Sequence, residues 1–184
     1  MLRDLDIEVI SLQSYPGVPE VEEDGLTFHE NALKKAREVS RHTSEVVLAD
    51  DSGLEVDILG GEPGIHSARY SGPEATDETN NRMLLRKLEG VPEGKRGAAF
   101  RCVLVLYRPD GLSESFEGAW RGEILFEPKG TLGFGYDPLF LDPGQGLTAA
   151  ELPPGIKNRI SHRGQAFAKF KEWLEKTEVR KIGS

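Results

Sequence analysis

The sequence predicts a mixed α/β fold. Three features carry that prediction: a capped amphipathic helix, an apolar strand running into paired aspartates, and two long strand patterns joined by a turn. Thr27-Phe28-His29-Glu30 fits a capping box, in which the threonine hydroxyl accepts the N3 amide and the glutamate reaches back to the cap amide. Phe28, Ala32, Leu33, Ala36 and Val39 then recur on one helical face to about His42. Residues 46–49 are apolar and lead into Asp50-Asp51-Ser52-Gly53, which puts carboxylates at the end of a strand, where α/β sheets bind ligands. Residues 100–107 and 115–126, separated by Pro109-Asp110-Gly111, read as antiparallel strands.

The remaining elements follow in order. Residues 7–11 alternate like a strand and lead into an acidic loop that contains proline. Residues 54–59 read as a further strand, and Gly60-Gly61-Glu62-Pro63-Gly64 is too rich in turn formers to continue it. A second helix is expected from about Thr76, carrying Met83, Leu84, Leu85 and Leu88 until Gly90 stops it. Ser161 can cap a last helix with Ala166, Phe170, Trp173 and Leu174 as its apolar stripe. No repeat, low-complexity segment or linker divides the chain, so residues 1–184 are expected to form one domain.

Composition excludes several classes of function. At 184 residues, 38% hydrophobic and 29% charged, the chain is long enough to bury a sizeable core. The net charge of −8 argues against binding long nucleic acid, which needs many Lys and Arg contacts to phosphate. The segment from Lys157 onward is net basic, so a small anionic ligand stays possible. No run approaches the length of a membrane span, and no signal peptide is visible. A single cysteine, Cys102, rules out an internal disulfide and reads as a buried thiol in a reducing cytoplasm.

Four segments could carry chemistry. Adjacent side chains on a strand point to opposite faces, so Asp50 and Asp51 have different jobs: one a magnesium ligand or general base, the other an acceptor for a turn, unless both are only turn residues. Glu20, Glu22, Glu23 and Asp24 form either a solvated loop or a second source of metal-binding carboxylate. Gly133 and Gly135 flank Phe134 and allow its ring close access to a flat ligand, with Tyr136 and Asp137 beside it. Lys157, Arg159, His162 and Arg163 surround a helix start, which favours anions. His29, His42 and His66 have no zinc-like spacing.

Together these segments resemble the inosine triphosphate pyrophosphatase family, enzymes that hydrolyse non-standard purine nucleoside triphosphates. The matching text is EEDGLTFHENALKKA at 22–36, LADDSGLEVDILGGEPGIHSARYSG at 48–72, FEGAWRGEI at 116–124, GFGYDPLF at 133–140, TAAEL at 148–152 and KNRISHRGQA at 157–166. The resemblance implies an elongated mixed sheet flanked by helices in two lobes, with the substrate cleft between them and a homodimer as the usual assembly. It implies Asp51 as general base and magnesium ligand, Glu22 as a further carboxylate on the metal, and Ser52 as a substrate contact. Phe134, Gly135, Tyr136 and Asp137 are expected to line the base pocket, with Phe134 stacking on the purine. Lys157, His162 and Arg163 are expected to meet the 6-oxo purine and the triphosphate. Asp50 and Glu30 support the site, and Arg69 is either a phosphate contact or, more simply, a salt bridge or dimer contact.

The implied reaction is Mg2+-dependent hydrolysis of ITP, dITP or XTP to the nucleoside monophosphate and pyrophosphate, in the cytoplasm. A related triphosphatase acting on other modified nucleotides and a noncatalytic nucleotide-binding remnant are the alternatives. The family pattern also begins with a strand and an [ST]-x-N-x-x-K phosphate loop that this sequence does not show. Loss of both is expected to leave an unpaired sheet edge and weaker triphosphate binding, hence poor solubility or low activity.

Overall fold

A computed structural model of the chain describes residues 8–182, with side chains as far as Thr177. The elements are α1 (Phe28–Thr43), β1 (Val47–Val56), α2 (Asp77–Lys87), β2 (Gly97–Tyr107), β3 (Ser113–Ile124), β4 (Phe140–Asp142), β5 (Leu147–Thr148), α3 (Pro154–Ile160) and α4 (His162–Ile182), with short 3-10 helices at Leu12–Ser14, Asp57–Leu59 and Gly64–Arg69. The five strands form one sheet in the order β1-β2-β3-β4-β5, with β3–β4 and β4–β5 antiparallel. The mixed α/β fold expected from the sequence is what the chain adopts.

The described residues gather into two compact units. One holds the chain up to Asp51, residues 103–117 and the chain from Ala166 onward; the other holds residues 52–102 and 118–165. In the first unit Ala32, Ala36 and Val39 of α1 are buried, as are Val103 to Leu106 of β2. Phe116 meets Phe170 of α4 at 5.4 Å and Trp173 at 5.7 Å between ring centroids. In the second unit a core of Leu54, Val56, Leu84, Leu88, Phe100, Trp120, Leu139 and Phe140 is sealed from water. Phe140 lies 4.5 Å from Phe100 and 5.0 Å from Trp120, and truncating it to alanine costs about 3–5 kcal/mol.

Arg96 is buried within this second unit. Its guanidinium donates to the carbonyls of Ile124 at 2.8 Å, Leu88 at 2.9 Å and Leu125 at 3.0 Å, so its charge is solvated by backbone dipoles.

Several boundaries differ from the sequence expectation. Residue 7 lies outside the described residues, and residues 8–11 are not a strand: Val9 and Ile10 are exposed, and Ser11 instead caps the 3-10 helix that follows. Alternation alone does not make a strand where no neighbour accepts its ladder. Residues 46–49 and 54–59 are not two strands broken by a turn. Asp50 to Gly53 lie inside the continuous strand β1, where pairing in the sheet overrides the turn preference of Asp-Ser-Gly. The aspartates therefore sit in mid-strand rather than at a strand end. The strand ends at Val56, the 3-10 helix Asp57–Leu59 begins the turn, and Gly60 and Gly61, both at positive φ, complete it, the Gly61 amide closing back on the Val56 carbonyl at 3.0 Å.

Candidate active site

The first cluster is built on α1 and β1. Thr27 caps α1, its Oγ1 accepting the Glu30 amide at 3.1 Å, but the Glu30 carboxylate reaches past the cap to the Leu26 amide at 2.7 Å. This fixes the helix start one turn before Asn31 and Lys35, which at i and i+4 share a face. Asn31 is fully buried; its Oδ1 accepts the Gly25 amide at 2.8 Å and its Nδ2 donates to Asp51 Oδ2 at 3.2 Å. Gly25 has to be glycine, since a Cβ there would sit 2.6 Å from Asn31 Oδ1. Lys35 Nζ donates to Asp51 Oδ1 at 3.0 Å and to Glu23 Oε1 at 2.8 Å, so one ammonium joins two carboxylates.

Asp51 is the buried member of the aspartate pair and Asp50 the exposed one, as the alternation of a strand requires. Burial raises the Asp51 pKa above the ordinary aspartate value, and the Glu23 charge adds to the rise; the bonds from Lys35 and Asn31 oppose it without cancelling it. Burial pulls the Lys35 ammonium down, but its bonds to Glu23 and Asp51 outweigh that and leave its pKa raised.

The second cluster lies in the other unit, on the loop that precedes β4. Asp137 is buried, and its Oδ2 accepts both the Phe134 amide at 2.8 Å and the Lys157 ammonium from α3. That carboxylate tightens the loop around Phe134, a residue 64% exposed. Lys157 Nζ lies 5.7 Å and Arg163 Cζ 5.5 Å from the centre of that ring. The result is an exposed aromatic face with two cations at hand.

His162, at the start of α4, is buried and stacks on Phe100 at 4.8 Å. Its Nε2 faces Arg163 at 3.4 Å, and its buried Nδ1 has no hydrogen-bond partner. Burial first, then the charges of Arg163 and Lys157, push its pKa down from 6.5 to about 3, so it is neutral at pH 7.

The structure thus brings together Phe134, Asp137, Lys157, His162 and Arg163. Tyr136 is turned inward: its ring belongs to the core and its hydroxyl donates to the Ser67 carbonyl at 2.9 Å. Gly135 contributes peptide groups at φ +60. Ser52 follows Asp51 in β1, and Arg69 is exposed at the end of the 3-10 helix Gly64–Arg69. Glu22 is exposed, while its neighbour Glu23 is the carboxylate that shares Lys35 with Asp51. The sequence reading missed Asn31, Lys35 and α3. Asn31 left a signal, because it is polar yet falls on the buried face between Phe28 and Ala32. Among the described residues no three His, Cys, Asp or Glu side chains are grouped as a preformed metal site. None of the described helices is long and apolar enough to cross a membrane.

Comparison with known proteins identifies relatives along nearly the whole chain. It is 53% identical over 174 residues to a dITP/XTP pyrophosphatase of Geobacter sulfurreducens, covering 95% of this chain and 87% of that one. It is 58% identical over 154 residues to a dITP/XTP pyrophosphatase of Methylococcus capsulatus, covering 83% of this chain and 77% of the relative. A solved HAM1 protein from Coxiella burnetii superimposes with a TM-score of 0.90 at 44% identity, covering 95% of this chain and 89% of that one. The Staphylococcus aureus Ham1 protein gives a TM-score of 0.87 at 42% identity, covering 92% of this chain and 88% of that one. The Ham1 family pattern matches residues 1–173, and the chain belongs to the Ham1 family.

Proposed function

We propose that this chain is a nucleoside-triphosphate pyrophosphatase that hydrolyses non-standard purine nucleotides, dITP, ITP and XTP, to the monophosphate and pyrophosphate. The observation that carries the reading is the buried Asp51 carboxylate, held by Asn31 and Lys35 beside Glu23, in a chain more than half identical to dITP/XTP pyrophosphatases.

The chemistry follows from these residues. Asp51 accepts a proton from water as the water oxygen bonds to the α-phosphorus and the bond from that phosphorus to the departing pyrophosphate oxygen breaks. Its raised pKa makes it a better proton acceptor than an exposed aspartate, and Asn31 fixes its orientation. The donor set suits magnesium: two carboxylates that already accommodate one cation between them, with the hard oxygens that magnesium prefers. Asp51 and Glu23 would hold it, with water and substrate phosphates completing the shell, and it would supply charge stabilisation to the phosphates. In this proposal Glu23 takes the role that the resemblance gave to Glu22.

Recognition of the base falls to the second cluster. Phe134 offers its exposed face for stacking on the purine. Lys157 and Arg163 offer only donors, which suit a 6-oxo group and leave a 6-amino group without an acceptor, so adenine is disfavoured. A magnesium-dependent homodimer in the cytoplasm completes the proposal. Pyrophosphate release from ITP, XTP, GTP and ATP, with magnesium or with EDTA, tests it: XTP and ITP far ahead and only with metal is the expected result, and equal rates on all four overturns the specificity.

A further inference from the structure

We propose that Asp77 and Asn81 of α2 are positioning residues that set the stacking face of Phe134 by holding the next peptide in the chain. The inference deepens the proposed function and rests on it for its substrate readout. Asp77 Oδ2 accepts the Gly135 amide at 2.6 Å, and Asn81 Nδ2 donates to the Gly135 carbonyl at 2.8 Å. Both polar groups of one residue are thereby fixed by two side chains one helical turn apart. On the other side of Phe134, its own amide is fixed by Asp137. The aromatic ring is thus suspended between two anchored peptides.

Tyr136 anchors one end of the loop in the core, but little packs against Gly135 itself. A cavity of about 460 Å³ lies between α2 and the loop, lined among others by Asn81, Leu85, Leu132, Phe134 and Leu139. A Cβ on Gly135 would meet nothing within 4 Å. With this space beside it, the Gly135 peptide is oriented by the two hydrogen bonds from α2 rather than by contact. Asn81 commits its donor to Gly135 while its buried Oδ1 has no hydrogen-bond partner, so this one bond is the polar function the side chain performs. Asp77 is well placed as an anion, being in the first turn of α2 behind the Thr76 cap.

The test uses Asp77→Ala and Asn81→Ala in the full chain, with Glu78→Ala as control for loss of a first-turn anion. Amide exchange of Gly135, followed by NMR without substrate, is expected to quicken about tenfold in both variants and not in the control. With XTP, KM is expected to rise about tenfold with kcat within about threefold, while inhibition by tripolyphosphate, which carries no base, is unchanged. Asp77→Asn, which keeps an acceptor oxygen, is expected to recover most of the loss. Unchanged Gly135 exchange overturns the proposal, and so does a rise in KM matched by an equal weakening of tripolyphosphate. A wild-type chain that ignores XTP contradicts the proposed function instead, and exchange still decides the clamp.

Discussion

The Asp51 cluster and the Phe134 loop solve opposite problems with similar residues. Around Asp51 a helix face and a strand, both regular elements, bring charges together and bury them: Lys35 joins two carboxylates and Asn31 is fully enclosed. Around Phe134 an irregular glycine-rich loop leaves the aromatic exposed, and the buried charge of Asp137 serves to shape the backbone. The first arrangement suits the proton acceptor proposed here, because burial and partners act on the pKa of Asp51 directly. The second presents a surface, because stacking needs an open face and a fixed backbone more than a tuned charge. In the proposed function, chemistry and recognition fall to different kinds of local structure.

Variants that separate the two regions sharpen this contrast. Asp51→Asn is expected to lower kcat by about 10²- to 10⁴-fold, measured as pyrophosphate release from XTP. Glu23→Gln is expected to weaken magnesium activation on the order of tenfold while Glu22→Gln leaves it near wild type, since Glu23 shares the Lys35 ammonium with Asp51 and Glu22 points to solvent; titrating metal against rate separates them. The recognition region carries its own pH signature. His162 titrates at about 3 folded against 6.5 ordinarily, so the unfolded chain binds the extra proton and stability is lost as pH falls from 6.5 toward 3. At pH 5 that loss is about 2 kcal/mol, and His162→Gln should flatten the decline in denaturant unfolding between pH 7 and pH 5.

Phe134→Ala should raise KM for XTP about tenfold with kcat nearly unchanged, the loss of one stacking contact. The smallest effect is expected outside both regions. Asp57 and Arg121 make two hydrogen bonds, at 2.9 and 2.5 Å, but both side chains are more than half exposed, so Asp57→Asn should cost less than about 1 kcal/mol in denaturant unfolding.

Much of this was legible in the sequence, where local rules decide the outcome. The Thr27 and Thr76 caps, the Gly60–Gly61 turn and the Ser161 cap, whose Oγ accepts the Gly164 amide at 3.2 Å, depend on residues within a few positions of each other. The continuity of β1 was not legible, because Asp-Ser-Gly favours a turn locally and only the neighbouring strand overrides it. For the site, Asp51, Phe134, Lys157, His162 and Arg163 were visible as motif residues. Lys35 was not, because it reads as one lysine among several on a solvated helix; its place in the cluster appears only when β1 sets Asp51 Oδ1 at 3.0 Å from its Nζ. Choosing Glu23 over Glu22 likewise needs coordinates, since adjacent glutamates in a loop are alike in sequence.

In the proposed function the Asp51 cluster performs chemistry while the Phe134 loop performs recognition. Equilibrium binding of XTP to Asp51→Asn, in magnesium and by calorimetry, tests it most directly. A Kd within about threefold of the wild-type value, alongside collapsed turnover, is expected. Binding lost together with turnover would contradict it, because Asp51 would then be holding the substrate rather than acting on it.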